Sequence, residues 1–138
     1  MAMTATARSA GKGLMHEVDV NGRHAIVTDE PQCLGGTDEG PAPHELLAAT
    51  LASCVATMIA MYAQRREWDI GETVVRVEYE ADESPRRFII DLCLPEDLTP
   101  DQRRRLERVA ETCPVRRALE GGFIFEERTT APAPRTAA

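Results

Sequence analysis

Aromatic residues are scarce: Phe, Trp and Tyr make up 4% of a 138-residue chain that is 43% hydrophobic. A core with so few rings must be built from Leu, Val, Ile, Ala and Met. Side chains of that size favour close helix packing, often against a second subunit. Positive charge is also in deficit. The net charge of −7 argues against nucleic acid or an anionic membrane as partner. Residues Met1 to Gly13 lack the apolar stretch of a secretory leader. The expected location is therefore cytoplasmic, where the four cysteines are expected to be reduced at rest. No Cys-x-x-Cys occurs among Cys33, Cys54, Cys93 and Cys113, and His16, His24 and His44 form no i,i+4 pair. A zinc site is not expected from these spacings.

Residues 1–12 read as a disordered N-terminal segment, 13–127 as one domain and 128–138 as a solvated tail. Asn21-Gly22 between two alternating runs predicts a hairpin, because both turn positions need positive φ. Asp29 to Pro43 is a 15-residue connection punctuated by Pro31, Gly35, Gly36, Gly40 and Pro41. Loops of that length are often functional, and this one leads into the most apolar stretch of the chain. Leu46 to Ala63 carries no charge over 18 residues. It predicts a helix from about His44 to Trp68, apolar on all faces and so expected to be buried on all faces. Its length reaches that of a membrane span. Its Ala, Thr and Ser make it only weakly hydrophobic on insertion scales, which favours a central core helix.

Two strands follow. Thr73–Glu80 sets Val75, Val77 and Tyr79 on one face, and Phe88–Leu94 turns Phe88, Ile90, Leu92 and Leu94 inward. Thr99-Pro100 opens a helix that runs to about Glu111, with Thr as N-cap and Pro at N1. Cys113-Pro114 restarts a short helix, Val115 to Leu119, closed by Gly121-Gly122. A last strand is expected at Phe123–Glu126. The order ββ-α-ββ-αα-β is that of an α+β protein, an antiparallel sheet packed on a long buried central helix.

Two of the thiols occupy chemically different places. Cys54 sits mid-helix beside Thr50, Leu51, Thr57 and Met58, an apolar setting in which a thiolate needs a cation brought from elsewhere. Cys113 sits at a helix start with Pro114 at N1. Unpaired N–H groups and the positive end of the dipole favour the anion there, and Arg116 and Arg117 follow within a turn. Free cysteine is otherwise a small buried hydrophobe, the reading preferred for Cys33 and Cys93. Residue types alone leave both a redox pair and simple burial open for Cys54 and Cys113.

The run Gly35-Gly-Thr-Asp-Glu-Gly-Pro-Ala-Pro-His-Glu-Leu-Leu-Ala-Ala-Thr-Leu-Ala-Ser-Cys54, with Cys113-Pro-Val-Arg-Arg-Ala-Leu, resembles the signatures of the OsmC/Ohr family, the osmotically inducible protein C and organic hydroperoxide resistance proteins. The resemblance covers about Gly13 to Glu127 and lies closest to the general OsmC-like branch. It implies an intertwined homodimer with two active sites at the interface. It also implies thiol-dependent reduction of organic hydroperoxides, without metal or tightly bound cofactor. Cys54 would attack the O–O bond, Cys113 would capture the sulfenic acid as a disulfide, and an external dithiol would restore both.

The chain departs from that pattern in two places. The acidic helper of the peroxidases lies ten residues before the cysteine, where this chain has His44, with Glu45 one residue later. The loop arginine of the osmotically inducible branch would fall near Leu34, yet no arginine lies between Arg23 and Arg65. Arg23 is the nearest candidate. Glu45 is about 13 Å along the helix from Cys54 and roughly 180° around it, so any help from Glu45 or His44 would go to Cys54 of the partner subunit. Glu45 fits equally well as a first-turn carboxylate complementing the helix dipole, and His44 as a structural or solvent-facing residue. The missing loop arginine favours a second reading: a non-enzymatic stress protein of the same fold, binding a small apolar ligand in an interface pocket.

Overall fold

Asn21 and Gly22 take the positive φ values that the hairpin demands, 54° and 66°, and the Arg23 N–H donates to the Val20 carbonyl across the turn at 3.1 Å. The computed structural model, which describes residues 2–11 and 13–131, builds two antiparallel sheets from there. Strands β1 (Ala5–Ser9), β2 (His16–Val20) and β3 (His24–Thr28) form one in sequence order; β4 (Val74–Glu80) and β5 (Arg87–Cys93) form the other. Three helices complete the chain: α1 (Pro43–Arg65), α2 (Pro100–Ala110) and α3 (Pro114–Gly121). Architecture and class are those expected, α+β with antiparallel sheets.

The core forms where α1 lies on the β4–β5 hairpin. Val75, Val77 and Tyr79 on β4 and Phe88, Ile90 and Leu92 on β5 are half-buried and alternate with exposed neighbours, as strands with one wet face require. Leu51, Val55, Ile59 and Ala63 form the buried stripe of α1, and Leu106 and Ala110 of α2 close over it. Thr99 caps α2: its hydroxyl accepts from the Gln102 N–H at 3.1 Å, and the Gln102 amide accepts from the Thr99 N–H at 2.9 Å. These reciprocal bonds satisfy two donors that a helix start leaves unpaired.

Three expectations are corrected. The N-terminal segment, read as disordered over 1–12, contains β1, which pairs with β2 from Ala5↔Val20 to Ser9↔His16. The pairing is main-chain work: every β1 residue is exposed, so no hydrophobic pattern announces it. The amide oxygen of Asn21 anchors its start by accepting from the Thr4 N–H at 2.8 Å. Residues 123–126 form no strand. Phe123, Ile124 and Phe125 are exposed, Ile124 to 93%, because no strand of the same chain lies beside them. Finally, α1 buries one stripe within a single chain and leaves Leu47 and Met61 on an exposed face. By length and composition this helix could also cross a membrane. Of the expected C-terminal tail, residues 132–138 lie outside the described residues.

The loop from Asp29 to Ala42 is closely built. Asp29 is buried and serves as its hub. One carboxylate oxygen accepts from the Glu30 N–H; the other accepts from the Thr37 hydroxyl at 2.6 Å and from the Thr37 and Glu39 N–H groups. The Thr37 hydroxyl, followed by these backbone donors, holds the Asp29 carboxyl below its ordinary pKa, against the opposing effect of burial. Glycine is required at two points: a Cβ at Gly36 would collide with the Glu30 carbonyl, and one at Gly40 with the Val27 carbonyl.

Candidate functional site

The end of α2 makes a tight corner. The Thr112 hydroxyl donates to the Val109 carbonyl at 2.7 Å, the chain turns through Glu111 and Thr112, and α3 begins at Pro114 with Cys113 as its N-cap. The corner packs Cys113 into the core cluster with Leu51, Val55, Ile59, Leu106 and Ala110, at 0% exposure. Cys54 lies on α1 at the margin of the buried stripe, half-buried and against the same cluster. Cys113 is thus fully buried and Cys54 half-buried.

The two side chains belong to one packed region, Cys113 inside the core cluster and Cys54 against it. Burial pushes the Cys54 thiol above its ordinary pKa, the Cys113 thiol adds to the rise, and the Val115 N–H works the other way. The free donors of α3 were expected to favour the Cys113 anion. The Val115 N–H lowers the Cys54 pKa instead. The signal for this lay in Cys113-Pro114-Val115, since the first N–H beyond a helix-opening proline has no partner within its own helix. Both thiols are free, as are Cys33 and Cys93, which are exposed.

The other candidates are not brought to the thiols within one chain. Arg23 is exposed at the hairpin tip, in a sheet whose main packing is internal. Glu45 caps its own helix, with Oε2 accepting from the Ala42 N–H at 2.9 Å. His44 packs edge-on against Tyr79 at 6.1 Å between ring centres. Arg116, expected near Cys113, instead pairs with Glu120 at 3.0 Å. Among the described residues no arginine contributes to the shift of Cys54, and no cluster of three His, Cys, Asp or Glu residues forms that could hold a metal ion.

A cavity of about 460 Å³ lies between α1, β5 and α3. Leu51, one turn before Cys54 on α1, lines it with Phe88, Ile90 and Leu119, and Arg86, Arg87, Arg116 and Glu120 supply its charged groups. The apolar lining suits an apolar group and the size suits a small molecule.

A long helix laid on an antiparallel hairpin, with two free thiols packed in or against one core cluster, makes this an α+β protein. A family model described as OsmC-like protein matches residues 36–128, and the chain belongs to that family. The fold is similar to that of an osmotic stress induced and detoxification response protein from Psychrobacter arcticus. The two share 30% identity, with 83% of this chain and 85% of that one covered and a TM-score of 0.70. It is also similar to the organic hydroperoxide resistance protein OhrB of Bacillus subtilis, at 26% identity, coverage of 88% and 92%, and a TM-score of 0.54. An organic hydroperoxide resistance protein from Legionella pneumophila shares the fold at 22% identity, coverage of 88% and 90%, and a TM-score of 0.60. A comparison with curated proteins finds no match.

Proposed function

We propose that the protein is a thiol peroxidase that reduces small organic hydroperoxides and works as a homodimer. The juxtaposition of Cys54 and Cys113 carries this reading: an accessible thiol with a sealed one beside it. Likeness to a hydroperoxide resistance protein at 26% identity supports it. The Cys54 thiolate attacks one peroxide oxygen, the O–O bond breaks, and the alkoxide takes up a proton and leaves as the alcohol. The Cys54 sulfenic acid then condenses with the Cys113 thiol, forming the disulfide and releasing water. An external dithiol reduces that disulfide and is itself oxidised.

The second copy answers two deficits of the single chain. It covers the exposed face of α1 and pairs with the apolar segment Phe123–Phe125. It also supplies the cation that the raised Cys54 thiol lacks, for which Arg23 of the partner subunit is the candidate.

The test is turnover of cumene hydroperoxide with dithiothreitol or a lipoylated reductant. Turnover that disappears in Cys54→Ser is expected. A protein inert to every peroxide, with Cys54 alkylated no faster than a model thiol, would overturn the reading. The elevated thiol and the absence of a neighbouring arginine would then favour the alternative, a non-enzymatic binder of a small apolar ligand.

A further inference from the structure

A second concave site, of about 430 Å³, lies between α2 and the C-terminal half of α1. Its charged wall is Asp101, Arg104, Arg105 and Arg108; Tyr62 and Val109 supply the rest, with Thr112 at one end. Three guanidinium groups therefore face one carboxylate. Asp101 is already spent on two of them: Oδ2 accepts from Arg105 Nε at 2.8 Å, and Oδ1 lies 3.7 Å from Arg104 Nη2. Tyr62 lies in the same wall, and its hydroxyl and Asp101 both raise the Arg105 pKa. Arg108 makes no hydrogen bond or ion pair among the described residues. Arg104 and Arg108 stand at i,i+4, a like-charge spacing that destabilises a helix. The surplus is local: three arginines converge on one carboxylate in a chain of net charge −7.

We infer that this surface is a binding site for a phosphoryl dianion carried on a small soluble ester. Planar guanidinium forks match phosphate oxygens two at a time. A dianion neutralises the surplus that Asp101 leaves, whereas a carboxylate brings one charge and two oxygens. Asp101 holds Arg105 in place before any ligand arrives, which lowers the ordering cost of binding. The Tyr62 ring and Val109 offer an apolar wall for the organic part, and the volume lies within the range of small-molecule sites. The site stands apart from the peroxidase reading and does not depend on it.

The experiment is an amide-shift NMR titration of the full chain with inorganic pyrophosphate at constant ionic strength. Saturable shifts confined to α2, Thr112 and the Tyr62 turn are expected. Arg108→Gln should weaken binding by roughly tenfold, the loss of one charge-assisted contact, and Arg104→Gln/Arg108→Gln should abolish it. Both substitutions are on a surface helix, and an unchanged melting curve confirms the fold. Arg76→Gln, on the exposed face of β4, should leave the affinity unaltered. Shifts that do not saturate, that acetate reproduces at equal affinity, or that persist in the double variant would overturn the inference. Capture by phosphatidic acid vesicles without binding of pyrophosphate would also overturn it, since the ligand class would then be a lipid headgroup.

Discussion

Cys54 and Asp29 are buried or half-buried acids pushed in opposite directions, and each makes a pH prediction. The Cys54 thiol is raised above 9.0, by burial first, so the neutral thiol is the favoured form in a single chain. Alkylation by iodoacetamide should therefore accelerate as pH rises through and beyond 9.0, because only the thiolate reacts. Pairing with a second copy should move this profile to lower pH, and Arg23→Ala should move it back. Peptide-resolved mass spectrometry at several pH values, above and below the dissociation concentration, measures both shifts. A profile indifferent to association and to Arg23 would remove Arg23 from the site. Asp29 is held below 3.8, chiefly by the Thr37 hydroxyl. Its folded form binds protons less readily than its unfolded form. The stability it contributes is present above 3.8 and is lost as pH falls through the lowered folded value. Hydrogen exchange at the Thr37 and Glu39 amides should rise over that acid range, and Asp29→Asn should lower the melting temperature at neutral pH while removing the acid step.

At the scale of elements, the loop that enters α1 is held by backbone fit as well as by Asp29. Gly36→Ala and Gly40→Ala each force a Cβ into a carbonyl of the preceding chain. Each should cost about 1–3 kcal/mol, the usual cost of overpacking, measurable by urea denaturation. Gly71→Ala is not a neutral control despite its open surroundings, because its φ of 67° strains any side chain. Gly121→Ala, with nothing near its Cβ position and an ordinary φ, is the suitable one. The elements that the sequence predicted were those with local signals: Asn21-Gly22 for a turn, Thr99-Pro100 for a helix start, alternation at Val75–Tyr79 and Phe88–Leu92 for strands. β1 escaped because Ala5, Thr6, Ala7, Arg8 and Ser9 are exposed and carry no apolar period. The Phe123–Glu126 strand was expected from its residues, yet a strand needs a neighbour, which pattern alone does not supply. For the site, sequence paired the thiols through the family resemblance alone. It missed that the Val115 N–H of α3 lowers the Cys54 pKa, since that depends on how two helices meet.

At the scale of the whole molecule, Leu47 and Met61 on α1, and Phe123, Ile124 and Phe125 beyond α3, are exposed large hydrophobics, and on the proposed homodimer they are the surface the second copy covers. Sedimentation of the full chain should give a dimer at micromolar concentration. Removal of residues 123–138 should shift it toward monomer and raise binding of an apolar dye. A stable monomer of the full chain would contradict the homodimer and with it the shared site.

The sealing of Cys113 also bears on damage. In the proposed reaction, a sulfenic acid on Cys54 would meet two competitors: a second peroxide from solution, which would oxidise it irreversibly to the sulfinic acid, and the Cys113 thiol. Intramolecular groups brought into reacting geometry behave as if present at effective molarities of about 10⁵ M or more, whereas free peroxide is dilute. On that proposal the partition would run to the reversible product, with Cys113 shielded from bulk oxidant by its burial. Burial of the second thiol would then protect the first from its own substrate.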